Sequence, residues 1–206
     1  MLLTDPMEIE KRSFEIISEE IGSHYIPPEN ELIVKRVIHS TADFDYLTNL
    51  KFSDNAVTIA LEQLKNGCAI VSDTQMVKSG INKKLAAELD IEIHCFMSDE
   101  DVAIEAKERG ITRAIVSMEK ASKIEKPCIM AIGNAPTALL CLCEMIKAKR
   151  FRPSLIIGTP VGFVNVVESK KLLMEQGLPY IVAAGRKGGS GVAAAICNAL
   201  LYQIKR

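Results

Sequence analysis

PCIMAIGNAPTALLCLCEMIKAK, residues 127–149, is the stretch that decides the fold. Pro127 to Ile132 is a short apolar run without polar alternation, the pattern of a strand buried on both faces. Gly133 breaks the run, and Ala135 to Lys149 has the length and spacing of a helix. The same texture recurs along the chain. CAIVSD (68–73), IEIHCF (91–96), SLIIGT (154–159) and PYIVAAG (179–185) are the other strand-like runs. Helical stretches separate them: 84–89, 99–108, 112–123 and 164–176, with a last one from about 191 to 205. Strands alternating with helices imply a parallel sheet with helices on both faces, and right-handed crossovers make it doubly wound. The expectation is a three-layer α/β/α fold with five parallel strands in the order 2-1-3-4-5.

Residues 1–66 read differently. Met7 to Ile21 and Glu29 to about Thr41 have helical spacing, and Ser53 is the expected N-cap of a helix that reaches Asn66 and closes at Gly67. One domain over 1–206 is expected, with the 1–66 helices packed on a 67–206 α/β core.

Lys plus Arg is 25 and Asp plus Glu is 26, a formal net charge of −1. That balance argues against a nucleic-acid partner, while leaving room for a local basic pocket. MLLTDPMEIEKR carries acidic residues where a leader needs a basic and then an apolar stretch. No apolar run is long enough for a membrane span, so the expected location is cytoplasmic. Cys68, Cys95 and Cys128 lie in strand-like runs, where free Cys acts as a small hydrophobe. The six Cys show no C-x-x-C pattern, so neither a protein-held metal nor a disulfide is expected.

Polar and glycine-rich loops follow four of the five strands, on the edge where such sheets bind ligands. Ser72-Asp73-Thr74 ends the first. GNAPTAL (133–139) ends the third, with Asn134 as N-cap and Pro136 in the first turn. That loop is either a cap alone or a receiver of a ligand carboxylate or amide on free N–H groups. GTPVGFV (158–164) ends the fourth, with Phe163 either packed in the core or set against a flat apolar ligand. GRKGGSG (185–191) ends the fifth, where Arg186, Lys187, Gly188 and Gly189 offer charge and close backbone approach at a helix start. Gly189 to Ala194 also matches the dinucleotide pattern G-x-G-x-x-A. No strand and no acidic residue follows it, which counts against a nucleotide-dependent oxidoreductase.

Three His occur. His24 sits in a turn, and His94 in a strand-like run suits a packed or capped core residue. His39 lies in ELIVKRVIHSTAD (31–43), whose apolar side is Leu32, Ile33, Val34, Val37 and Ile38. Arg36 and His39 share the other side, three residues apart. A fixed cation beside a group that titrates near neutrality suits an anionic substrate that needs a proton moved, and Asp43 is a candidate to orient the imidazole. Arg12, Ser13 and Arg113 join the candidate set, since several converging Arg would mark a polycarboxylate ligand.

RSFEII (12–17), VKRVIHSTAD (34–43), CAIVSDTQMVKSGI (68–81), AIGNAPTALL (131–140), GTPVGFVNVVESK (158–170) and GRKGGSGVAAAICNALL (185–201) together resemble the precorrin-8X methylmutase family of cobalamin biosynthesis. The resemblance spans nearly the whole chain. It implies a flavodoxin-like fold and an isomerase that moves a methyl group from carbon 11 to carbon 12 of a corrinoid ring. It assigns catalysis to His39 and substrate contacts to Arg12, Ser13, Arg36 and Arg113. It implies no cofactor, any cobalt belonging to the substrate, and a homodimer with shared active sites acting on a small corrinoid polycarboxylate. The alternative class is a tetrapyrrole-binding protein without catalysis. Ser40-Thr41-Ala42 departs from the Ala-Cys-Gly that follows the His in many relatives, which bears on local pocket shape.

Overall fold

One six-stranded sheet organises residues 3–205, the part of the chain described by this computed structural model. Residues 1, 2 and 206 of the expected domain lie outside the described residues. Two helices, α1 (Pro6–Ile21) and α2 (Pro28–Thr41), lead through the short α3 (Tyr46–Asn49) to β1 (Leu50–Phe52) and α4 (Ala56–Lys65). Next come β2 (Ala69–Ser72), α5 (Gln75–Gly80), α6 (Lys83–Glu88) and β3 (Glu92–His94). Then follow α7 (Glu100–Arg109), α8 (Arg113–Ala121), β4 (Cys128–Ile132) and α9 (Pro136–Lys147). The chain closes with β5 (Leu155–Gly158), α10 (Val166–Met174), β6 (Tyr180–Ala183) and α11 (Ser190–Ile204).

The sheet corrects the expected strand count and order. It has six strands in the order β1-β6-β5-β4-β2-β3. β2 to β6 are parallel, but β1 pairs antiparallel with β6, Leu50 facing Ala183 and Phe52 facing Ile181. LKF is too short to announce itself by alternation, so the 1–66 segment is not helical throughout. The Ser53 cap is a second correction. Its hydroxyl accepts the Tyr180 N–H at 2.9 Å, and Asn55, with φ 58°, stands at the helix start instead. α5 was not expected at all; Thr74 caps it by accepting the Val77 N–H at 3.1 Å.

The strands sort their side chains by parity. Ile129 and Ala131 face one helical layer, while Cys128, Met130 and Ile132 face the other. The first core holds Ile33, Val34, Val37 and Ile38 of α2 together with Leu64 and the buried side chains of α11. The second holds Met118 of α8, Leu139 and Leu142 of α9 and Leu173 of α10. α11 is buried nearly all round because it lies on the sheet and beneath α2, α4 and α5. No helix among the described residues is long and apolar enough to cross a membrane.

Candidate active site

α2 displays the expected split. It buries Ile33, Val34, Val37 and Ile38, and ends where Ala42 turns left-handed (φ 51°) with its N–H on the Ile38 carbonyl at 2.7 Å. His39 is exposed in the last turn. Its ring stands 5.5 Å from that of Phe14 in α1, tilted by 38°. The same Phe14 ring carries the Arg36 guanidinium at 4.7 Å, and Tyr202 of α11 flanks that guanidinium at 5.0 Å. Arg36 also pairs with Glu10 at 2.7 Å, its side chain only 11% exposed, and its Nε is buried without a hydrogen-bond partner. Phe14 also lines a groove of about 730 Å³ along α1, with Met7, Glu10, Ser18 and Lys35.

Asp43 does not stand on the helical face with His39, because the helix stops at Thr41. Its carboxylate instead receives Lys187 at 2.6 Å, and Asp45 holds the same ammonium at 2.6 Å. This tie joins the end of α2 to the loop after β6, so His39 lies at the carboxyl edge of the sheet. The Lys187 bond holds the Asp43 carboxyl below its usual range.

The loops at that edge are knit together. Gly189 donates its N–H to the Thr159 carbonyl at 2.7 Å, and Gly162 donates to the Arg186 carbonyl at 3.2 Å. Gly188 adopts φ 155°, and a Cβ there would lie 2.2 Å from the Thr159 oxygen, so only glycine lets the two loops touch. Beneath them lies Lys170, fully buried, whose Nζ donates to the carbonyls of Gly185 at 2.8 Å and Lys187 at 2.9 Å. Burial pushes this ammonium down to about 8. Thr74 and Ser190 share a hydroxyl hydrogen bond of 2.9 Å, joining the β2 and β6 loops. On this floor Phe163 and Val164 are 80% and 78% exposed, so Phe163 is not a core residue, and the Arg186 guanidinium lies 5.5 Å over its ring.

The GNAPTAL loop differs from its expected chemistry. Ala135, not Asn134, precedes the helix as its N-cap, and neither side chain caps it. The N–H groups of Gly133, Asn134 and Ala135 are taken by Asp73, at 2.8, 2.8 and 2.7 Å. A ligand carboxylate therefore has no vacancy there, while the Asn134 side chain remains exposed at the edge.

Sequence-predicted contacts fall into groups. Arg186, Lys187, Gly188 and Gly189 sit with Asn134 on the carboxyl edge. Arg113 opens α8 on the other helical layer, and Thr112 beside it bonds Thr137 of α9 at 3.3 Å, which brings Arg113 to the same edge. Arg12 is engaged by Glu15 and Glu19 of its own helix at 3.1 and 3.2 Å, and the Ser13 hydroxyl donates to the Ile9 carbonyl at 2.8 Å. His94 is half-buried, not a core residue; it meets Glu92 at 3.0 Å and stacks on Phe96. Asp73, Lys170, Phe14 and Glu10 are participants that spacing alone did not single out. All six Cys are free and buried, and burial pushes Cys68 up to about 12, so this thiol is no nucleophile at neutral pH. Among the described residues no group of His, Cys, Asp or Glu is placed to hold a metal ion.

A doubly wound α/β protein with its glycine loops, exposed cations and an exposed imidazole gathered at a single sheet edge has the layout of the small-molecule-binding proteins of this architecture. The family model described as Precorrin-8X methylmutase matches residues 8–203. A relative from Leptospira interrogans named cobalt-precorrin-8 methylmutase is 44% identical over 94% of this chain and 91% of its own length. One of the same name from Priestia megaterium is 45% identical, over 97% of this chain and 88% of its own. The crystal structure of a precorrin-8X methylmutase from Thermus thermophilus superimposes with a TM-score of 0.88 at 37% identity, covering 95% of this chain and 96% of that one. This chain belongs to the precorrin-8X methylmutase family, whose members are isomerases that transfer a methyl group within one molecule.

Proposed function

We propose that this protein moves a methyl group from carbon 11 to carbon 12 of the ring of precorrin-8, or of its cobalt form, giving hydrogenobyrinic or cobyrinic acid. The observation that carries this reading is the placement of His39. It is an exposed imidazole packed on Phe14 at the end of α2, tied through Asp43 and Lys187 to the loops of the carboxyl edge. A methyl shift along a conjugated ring proceeds as a concerted migration once the correct tautomer is set. His39 sets it by giving or taking a proton at the ring. Arg36 keeps a positive charge one helical turn away, already anchored by Glu10 and two aromatic rings. Arg113, Asn134 and Arg186 hold the peripheral carboxylates, with the Gly188–Gly189 backbone approaching them closely. Phe163 and Val164 supply a flat apolar surface for the macrocycle. Arg12 and Ser13 contribute once their local bonds within α1 are exchanged for the substrate.

The working unit is a homodimer in which each site draws on both subunits, and the protein is cytoplasmic and without a cofactor of its own. Cobalt enters only as part of the substrate. An absorbance assay with metal-free and with cobalt-loaded substrate tests the reading, because the shift changes the ring's conjugation. A change in the spectrum at stoichiometric product is expected with at least one of the two. No spectral change with either overturns the proposal.

A further inference from the structure

Asp73 lies at the point where strand order reverses, between β2 and β4. Doubly wound proteins receive ligand anions in that crevice, at a helix N-terminus. In this chain the crevice is filled from within. The Asp73 carboxylate is fully buried, one oxygen on the Gly133 N–H and the other on those of Asn134 and Ala135. These donors belong to the turn that leads into α9, whose N-cap is Ala135. We propose that Asp73 is a positioning residue for the methyl shift, a built-in anion that fixes the 133–135 turn and so aims Asn134 and the start of α9 at the substrate. The proposal rests on the reading that the corrinoid lies along the carboxyl edge.

Three features argue that the carboxylate is there for position rather than packing. The carboxylate takes three backbone N–H groups that an apolar side chain of similar size would leave without partners, and it does so although burial raises its pKa. The turn it holds has no slack: a Cβ on Gly133 would lie 2.8 Å from Ser190 Cα and 2.9 Å from Val77 Cγ2. The residue next to Asp73 continues the tie, since Thr74 bonds the Ser190 hydroxyl at 2.9 Å. Displacing the 133–135 turn therefore displaces the start of α11 and the glycine loop before it.

Replacing the carboxylate and then restoring one from solution tests this. Asp73→Gly leaves the cradle empty, and Asp73→Asn fills it with an amide that turns N–H toward N–H. Both are expected to lose about 10- to 100-fold in kcat/KM, the scale of a small misplacement near the reacting centre. Sodium formate, compared with sodium chloride at equal ionic strength, is expected to restore activity to Asp73→Gly and to raise its Tm. It should do neither for Asp73→Asn or the natural chain. Wild-type kcat/KM in either variant, or a formate effect equal in all three proteins, overturns the proposal. If Asp73→Gly does not fold even in formate, the kcat/KM of Asp73→Asn decides. The Tm readout needs no substrate. Should the corrinoid reading fail, a formate-dependent Tm in Asp73→Gly alone still establishes the cradle. Turnover by the natural chain beside a formate-blind Asp73→Gly overturns Asp73 alone.

Discussion

Lys170 shows how far a residue's surroundings can depart from its place in the sequence. Within VVESKKLL it reads as a solvent-facing helical lysine, yet it is fully buried and holds two loop carbonyls. Its ammonium titrates near 8 when folded, against an ordinary 10.5. Between those values the unfolded chain binds the proton and the folded one does not, so stability rises with pH across that window. The neutral amine still has two N–H donors for the two carbonyls. Lys170→Met removes both donors and the titration. The natural chain is therefore expected to gain stability over Lys170→Met as pH goes from 8 to 10.5, read from paired urea melts. A constant difference would contradict the assignment. The Asp43–Lys187 tie has the same sign in an acid window. Its carboxyl is held low, so the tie is complete above the ordinary carboxylate value and breaks as pH falls through the depressed one. Amide protection in 185–189, relative to the unfolded chain at the same pH, is expected to fall in that acid range, and Asp43→Asn to show the lowered protection already at neutral pH. His39 and Arg36 were legible because the apolar spacing of α2 left them together on its other face. Asp73 was not, because nothing in SDT says that its carboxylate meets backbone N–H groups sixty residues on.

Elements were legible where burial imposes a continuous apolar run and illegible where it does not. Four of the five parallel strands lie buried between two helical layers, and their runs of Ile, Val and Cys announce them, while β3 at the sheet edge is only half-buried. β1 is three residues at the sheet edge, with Lys51 exposed between Leu50 and Phe52, and too little sequence to show a period. α5 was hidden for the same reason, six residues in the shadow of a strand end. Loop contacts were partly legible. Glycines signalled close approach in GRKGGSG, and the structure identifies Gly188 as the position with no room. Gly188→Ala places a methyl carbon against the Thr159 carbonyl at an unfavourable φ. It is expected to cost about 2–4 kcal/mol, lowering Tm by about 4–16 °C in a chain of this size. Gly110 offers the control. It is also left-handed, with φ 64°, but nothing lies within 4 Å of its Cβ position. Gly110→Ala should cost only the backbone strain of about 1–2 kcal/mol. Equal melting points for the two variants would contradict the contact.

At the scale of the molecule, the carboxyl edge draws on both helical layers: His39 belongs to the α2 layer, Arg113 to the α8 layer. If two copies share each site, His39→Ala and Arg113→Ala lie in trans and complement. Mixing the two inactive variants by unfolding and refolding would then regain about a quarter of wild-type activity, half the dimers having one intact site of two. No recovery would place both side chains in the same subunit's site. The central claim is that one imidazole moves a proton at the bound macrocycle while other groups hold it. His39→Ala, assayed at saturating substrate alongside a direct corrinoid-binding titration, tests it most directly. The account predicts a Kd within a few-fold of wild type and a turnover reduced about 10²- to 10⁴-fold, the range for loss of a general acid or base. Undiminished turnover by His39→Ala would contradict it.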